Sequence, residues 1–300
     1  MKHRYFLPLL IALSSLTGRV DAGLKVASLH PIVGDLVKQV GGDHVEVVQV
    51  LKPGTDLHHF SPSAKDIAAM RGATIVFASG KGMESYLDKL RDSLGGGVTL
   101  IEVGRTVPSI KISADQSIFM CCPEHARGGI DPHWWQSSDN MKRAAGVVAD
   151  ALTAGDPANK AAYEAGAESA RQRISAVKAY AQKQLSQIPR SDRKLVTAHA
   201  AFGYFCKEYG FKTIPVLGLS AEGAASVQYT SEVVKAIQTN KIRAVFPETG
   251  ANPKVLSEIA RQTGVKVGRE LNGDGTTAEA STFESMTRHN VDAIVAALKP

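Results

Sequence analysis

The sequence predicts an α/β protein of two lobes, each a mainly parallel four-stranded sheet flanked by helices, joined by one long linker helix. Three observations carry this. Short β-branched runs alternate with amphipathic stretches, the alternation occurs twice, and one long helix-forming stretch separates the two occurrences. Strands alternating with helices argue for βαβ units and parallel sheets.

In the first half, LKVAS (24–28), VEVVQVL (45–51), ATIVFAS (73–79) and VTLIEV (98–103) are continuous apolar runs, the pattern of strands covered on both faces. PIVGDLVKQVGG opens with Pro31, whose fixed φ suits a first helical turn, and closes at Gly41 and Gly42. SPSAKDIAAMRG begins with Ser and Pro and has Gly72 past its end, a second short helix. Residues 104–133 are the least regular piece. The triple glycine 95–97 precedes a strand rather than opening a helix, so it reads as a turn and not a phosphate loop.

The linker starts at Asp156 and Pro157, is rich in Ala, Gln, Glu, Lys and Arg, and closes at Pro189 with only Gly166 as an internal weak point. A helix of that length runs roughly 45 Å at 1.5 Å per residue, enough to traverse a two-lobed body. Beyond it, KLVTA (194–198), KTIPVL (212–217), AVFPE (244–248) and VKVGREL (265–271) read as strands. AAFGYFCKEYG, YTSEVVKAIQTN, NPKVLSEIARQTG and STFESMTRHNVDAIVAAL read as helices. The expected divisions are a signal peptide at 1–22, a first lobe at 23–155, the linker helix at 156–189 and a second lobe at 190–300.

At the N-terminus, Lys2 and Arg4 precede an apolar run from Phe6 to Leu16 and a small-residue end at Val20-Asp21-Ala22. That run is too short to span a bilayer and reads as a secretory signal cleaved after Ala22. No cysteine sits at that point, so a free soluble monomer in a bacterial periplasm is expected rather than a lipoprotein. The formal net charge of +6 is mild and its basic residues are scattered, which argues against nucleic-acid binding. Three cysteines are present, Cys121, Cys122 and Cys206. An oxidising compartment favours one bridge, and since adjacent cysteines pair only with strain, Cys206 with Cys121 or Cys122 is the expected pair.

Ligands of open α/β sheets gather at the carboxyl ends of strands. His199 directly follows strand 194–198, Glu248 ends strand 244–248, and Asp274 follows strand 265–271. His58 and His59 come shortly after strand 45–51, and His133 lies in the irregular segment between Pro132 and Trp134-Trp135. Histidines and carboxylates of both lobes thus reach one edge, where a divalent cation would fit. Three imidazoles and a carboxylate form an N3O set that suits zinc. Neither a CxxC pair nor an HExxH helix is present. Glu248 reads as a partner that orients a metal-bound imidazole. His30 reads as a helix-start residue, His44 and His289 as solvent-facing, and the two tryptophans as packing for their loop.

These motifs carry a resemblance. GTDLHHFSPSAKDI resembles the first-ligand motif of the zinc/manganese solute-binding proteins of ABC transporters, cluster A-I. Gly54, Asp56, His58, Phe60 and Pro62 match, while Leu57 stands where proline is usual. DPHWW resembles the second motif and HAAFGYFCKEYG the third. The resemblance implies His58, His133, His199 and Asp274 as ligands of Zn²⁺, with His59 a spacer, and histidine rather than glutamate at 199 favours zinc over manganese. It also implies an ABC permease and its ATPase as partners, with a periplasmic metallochaperone as a candidate loader, and no catalysis. The His-rich loop of many zinc members is reduced here to His125. Two rivals stand beside this reading. One is a secreted zinc hydrolase in which Glu248 activates water at an open fourth position, and the other is a metal-binding adhesin on the same fold.

Overall fold

The computed structural model describes residues 23–111, 129–215, 227–251 and 253–300. Its first sheet contains β1 (Leu24–Ser28), β2 (Val45–Gln49), β3 (Ile75–Ala78) and β4 (Thr99–Glu102), all parallel, in the order β2-β1-β3-β4. Val26 pairs with Val47 on one side and Ile75 on the other, so the centre of the strand is apolar and buried. Three helices belong to these crossovers: α1 (Pro31–Gly41), α2 (Ala64–Arg71) and α3 (Leu87–Leu94). Ser63 caps α2 with a reciprocal Ser63–Asp66 capping box.

Next come α4 (Ser138–Gly155) and the long helix α5 (Lys160–Leu185), preceded by a single 3-10 turn at Pro157–Asn159. The sequence reading does not anticipate α4. With 26 residues, α5 runs about 39 Å. Its buried positions, Tyr163, Ala167, Ala170, Ile174, Val177, Ala181 and Leu185, advance by three or four residues and form one stripe. The stripe from Tyr163 to Val177 belongs to the first lobe's core, and Ala181 and Leu185 belong to the second's. Gly166 is not a flaw in this helix: a Cβ there would sit 2.0 Å from the carbonyl oxygen of Val40, so glycine lets α5 meet the end of α1.

The second lobe pairs β5 (Lys194–Thr197) with β6 (Lys212–Pro215), and β7 (Ala244–Val245) with β8 (Lys266–Val267), again parallel. A parallel bridge from Thr197 to Phe246, with Phe246 N donating to Val196 O at 2.8 Å, joins the pairs in the order β6-β5-β7-β8. That order repeats the first lobe's. The strands over 244–248 and 265–271 are shorter than the sequence suggests, since β8 is an exposed edge and Val267 is 45% exposed. A further bridge between Glu248 and Leu271 nonetheless keeps their ends side by side. The helices here are α6 (Gly203–Tyr209), α7 (Val227–Thr239), α8 (Lys254–Thr263) and α9 (Phe283–Leu298). Helix α9 begins with Phe283 and Met286 in the first core and ends with Val291, Ile294 and Leu298 in the second.

Cys206 is a buried free thiol in α6, and the expected bridge to Cys121 or Cys122 finds no support among the described residues. It sits in the second lobe's core among Phe202, Phe205 and Leu195, where burial pushes the thiol's pKa upward against a hydrogen bond to Thr213. Cys121, Cys122 and His125 lie outside the described residues.

Candidate metal centre

Each candidate side chain is aimed by a carboxylate or a turn close to it. After β2, Asp56 folds the loop back, its Oδ1 accepting from His58 N at 2.8 Å and from His59 N at 3.4 Å. This turns the two neighbouring histidines apart. The His58 side chain is 5% exposed, while that of His59 is 52% exposed and lies 2.8 Å from Asp56 Oδ2. Asp131 does the same for His133, accepting from its backbone N at 2.9 Å and meeting its Nδ1 at 2.8 Å, with the ring fully buried. His199 leaves the end of β5, and its N donates to Glu248 Oε1 at 2.8 Å. Glu248 Oε2 lies 2.7 Å from His199 Nδ1, off the line of a straight hydrogen bond.

Asp274 rides on the loop after β8, which the first lobe holds. Trp135 Nε1 donates to Gly273 O at 3.1 Å, and Gln136 Nε2 donates to Asn272 O at 3.0 Å and Gly273 O at 2.6 Å. Gly273 has no room for a side chain, since a Cβ would sit 2.4 Å from Glu248 Oε2. Trp134 packs as expected, with Nε1 donating to Ser79 Oγ at 2.9 Å.

The four side chains meet. Asp274 Oδ1 lies 3.3 Å from His58 Nε2, 3.4 Å from His133 Nε2 and 3.0 Å from His199 Nε2, and the His58 and His133 Nε2 atoms are 3.4 Å apart. One donor atom from each of the four falls within 4.8 Å of all the others. Burial works against a charge on His199, but Asp274 and Glu248 outweigh it and raise its pKa well above the ordinary histidine range. His133 is raised too, with Asp131 and Asp274 overcoming burial, while burial lowers His58. Burial would raise Asp274, yet the surrounding imidazoles hold its carboxyl well below the usual range. The arrangement can bind a cation through three neutral imidazoles and one carboxylate, with Asp131 placed at His133 Nδ1 and Glu248 at His199 Nδ1.

The other described histidines lie outside the cluster. His30 caps α1 as a helix-start residue, its Nδ1 accepting from Ile32 N at 3.2 Å. It is fully buried, unlike an ordinary cap, and burial lowers its pKa to about 3. His289 Nε2 meets Glu270 O at 2.8 Å, and His44 lies edge-on to Tyr163. Asp131 is the functional candidate that the sequence reading misses. Its signal is the D-x-H spacing shared by Asp56-Leu57-His58 and Asp131-Pro132-His133.

Residues 26–297 match the family described as zinc-uptake complex component A, periplasmic. The chain belongs to this family. Its members are substrate-binding proteins rather than enzymes, which removes the hydrolase rival. Similar relatives include the manganese-binding lipoprotein MntA of Halalkalibacterium halodurans, 27% identical over 94% of this chain and 91% of its own. The iron-binding protein YfeA of Yersinia pestis is 29% identical over 90% of this chain and 85% of its own. The solved periplasmic zinc-binding protein TroA of Treponema pallidum superposes with a TM-score of 0.82 at 25% identity, covering 93% of this chain and all of that one. Among the described residues, no helix is long and apolar enough to cross a membrane.

Proposed function

We propose that the protein is a periplasmic receptor that captures Zn²⁺ through His58, His133, His199 and Asp274 and delivers it to an ABC permease and its ATPase. The observation that carries this is the convergence of three imidazole Nε2 atoms on one carboxylate oxygen. Donors placed about 2.0–2.1 Å from a central zinc in a tetrahedron are about 3.3 Å apart. Four of the six donor separations, 3.0 to 3.4 Å, come close to that spacing, and all six lie within 4.8 Å. An N3O donor set also suits zinc better than manganese, which prefers more oxygen.

Four protein donors leave no open position for an activated water, in keeping with capture rather than hydrolysis. The ion enters as cargo and takes the place of protons on the imidazoles. His58 and His133 come from the first lobe, His199 and Asp274 from the second, so release needs only a small relative displacement of two pairs. Helices α5 and α9 run through both cores and resist a wide hinge, so loop rearrangement is the expected route.

The relatives named for manganese and iron set the alternative. A competition titration of the ion-free protein with Zn²⁺ and Mn²⁺, read by native mass spectrometry, decides between them. One tightly held zinc per chain that manganese does not displace supports the reading, and preferred manganese overturns the assignment to zinc.

A further inference from the structure

Beside the four-donor cluster lies a fifth imidazole that the cluster does not use. His30 is fully buried, and its Nδ1 accepts from Ile32 N at the start of α1. With a lone pair committed there, the proton of the neutral ring sits on Nε2, which is therefore a donor. That cap rules out His30 as a fifth ligand through Nε2, because ligation needs a lone pair on the same atom. Yet Nε2 has no hydrogen-bond partner among the described residues. A buried donor of this kind calls for an acceptor.

Its surroundings say which one. The His30 ring packs against Trp135 at 4.3 Å between centroids, and Trp135 in turn lies 5.3 Å from the His133 ring. The same indole donates to Gly273 O, one residue before Asp274. A Cβ on Gly275 would come 3.8 Å from His30 Cε1, the atom bonded to Nε2. The Cε1 edge of the ring, which Nε2 adjoins, thus lies beside the loop at Gly275. Asp274 is the charged group that acts most strongly on it. All described hydrogen bonds of Asp274 use Oδ1, so the second oxygen is available.

We propose that His30 is a positioning residue for the bound cation, its Nε2–H donating to the free carboxylate oxygen of Asp274 as the loop settles onto the ion. The proposal rests on the capture reading above. It assigns His30 the task of fixing which oxygen ligates and of slowing release. Trp135 and His30 then form one shelf under the Asp274 loop, the first holding its backbone and the second its side chain.

The test is long-range ¹H–¹⁵N correlation on histidine-labelled protein of residues 23–300, without ion and with one equivalent of Zn²⁺, together with stopped-flow release into a chelator. The His30 proton is expected on Nε2 in both states, with Hε2 moving downfield and exchanging more slowly once zinc is bound. His30→Asn keeps a good cap but is too short to reach Asp274, and should release zinc roughly 10- to 100-fold faster. His30→Phe keeps the packing against Trp135 and should do the same. Unchanged His30 signals on loading, a proton on Nδ1, or release from His30→Asn at the wild-type rate would each overturn the proposal while leaving the capture reading intact. A wild-type protein that binds no zinc overturns both.

Discussion

Replacing Glu248 by alanine probes how far the cluster depends on what lies behind it. Glu248 is 2% exposed and touches His199 twice, at the backbone N and at Nδ1. Loss of a carboxylate behind a metal-bound histidine typically weakens binding 10- to 100-fold, about 1.4–2.7 kcal/mol. A hydrogen bond to a charged group, valued at about 1.5–3 kcal/mol, leads to the same range. One effect opposes this. Glu248 also helps hold a proton on His199, so its removal eases the exchange of that proton for zinc. The opposing effect matters most at low pH, and the measured loss should therefore be larger at pH 8 than at pH 6. A competition titration against a chromogenic zinc chelator at both values measures it, with a thermal melt to confirm folding. Glu248→Gln, which keeps the volume and the acceptor for His199 N, should fall in the lower half of the range. A change under about threefold at pH 8 with an unchanged melt would refute the reasoning.

Four further outcomes are expected. His133 and His199 are raised and Asp274 is lowered in the ion-free site, so zinc binding should release protons and affinity should fall as pH drops; a weakly buffered titration at pH 7.5 showing no proton release would count against this. Gly166→Ala gains about 1 kcal/mol in helix propensity but forces a Cβ into Val40 O, an overpacking cost of about 1–3 kcal/mol, so urea denaturation should show net destabilisation. Gln136→Leu removes one of two donors from each of the Asn272 and Gly273 carbonyls, which keep Asn290 Nδ2 and Trp135 Nε1, and loosens the Asp274 loop, costing about 0.5–1.5 kcal/mol in melting experiments and weakening zinc binding in titration. Cys206 should resist alkylation in the native protein and react after denaturation, as peptide mapping would show.

Much of this was open to reading along the chain because it is written locally. Continuous apolar runs give the first sheet almost residue for residue, and the strand-end rule places His199, Glu248 and Asp274 on one edge before any geometry is known. Helix α4 was equally open, since Met141, Ala144, Ala145, Val148, Ala149 and Leu152 follow a helical period behind the cap Ser137. What has no local signature is contact across the lobes. Nothing in the spacing of Trp135 and Gln136 announces that their donors hold carbonyls at 272 and 273. The choice between His58 and His59, by contrast, is local, since Asp56 two residues before His58 bends the loop and turns the two rings apart. The cysteine argument weighed compartment and spacing alone, and neither announces that Cys206 is sealed into a core as a free thiol.

The sharing of α9 between the two cores has a consequence for how the molecule comes apart. Phe283 and Met286 complete one apolar interior and Val291 to Leu298 complete the other, so neither can lose the helix and remain intact. Although the outline is bilobal, denaturation should follow a single cooperative transition. A fragment ending with the linker helix would lack the chain's last turns and should not stand as an independent unit. The final sixteen residues before Lys299 are thus a shared keystone, and their loss would cost the first lobe its order although they are distant from it in sequence.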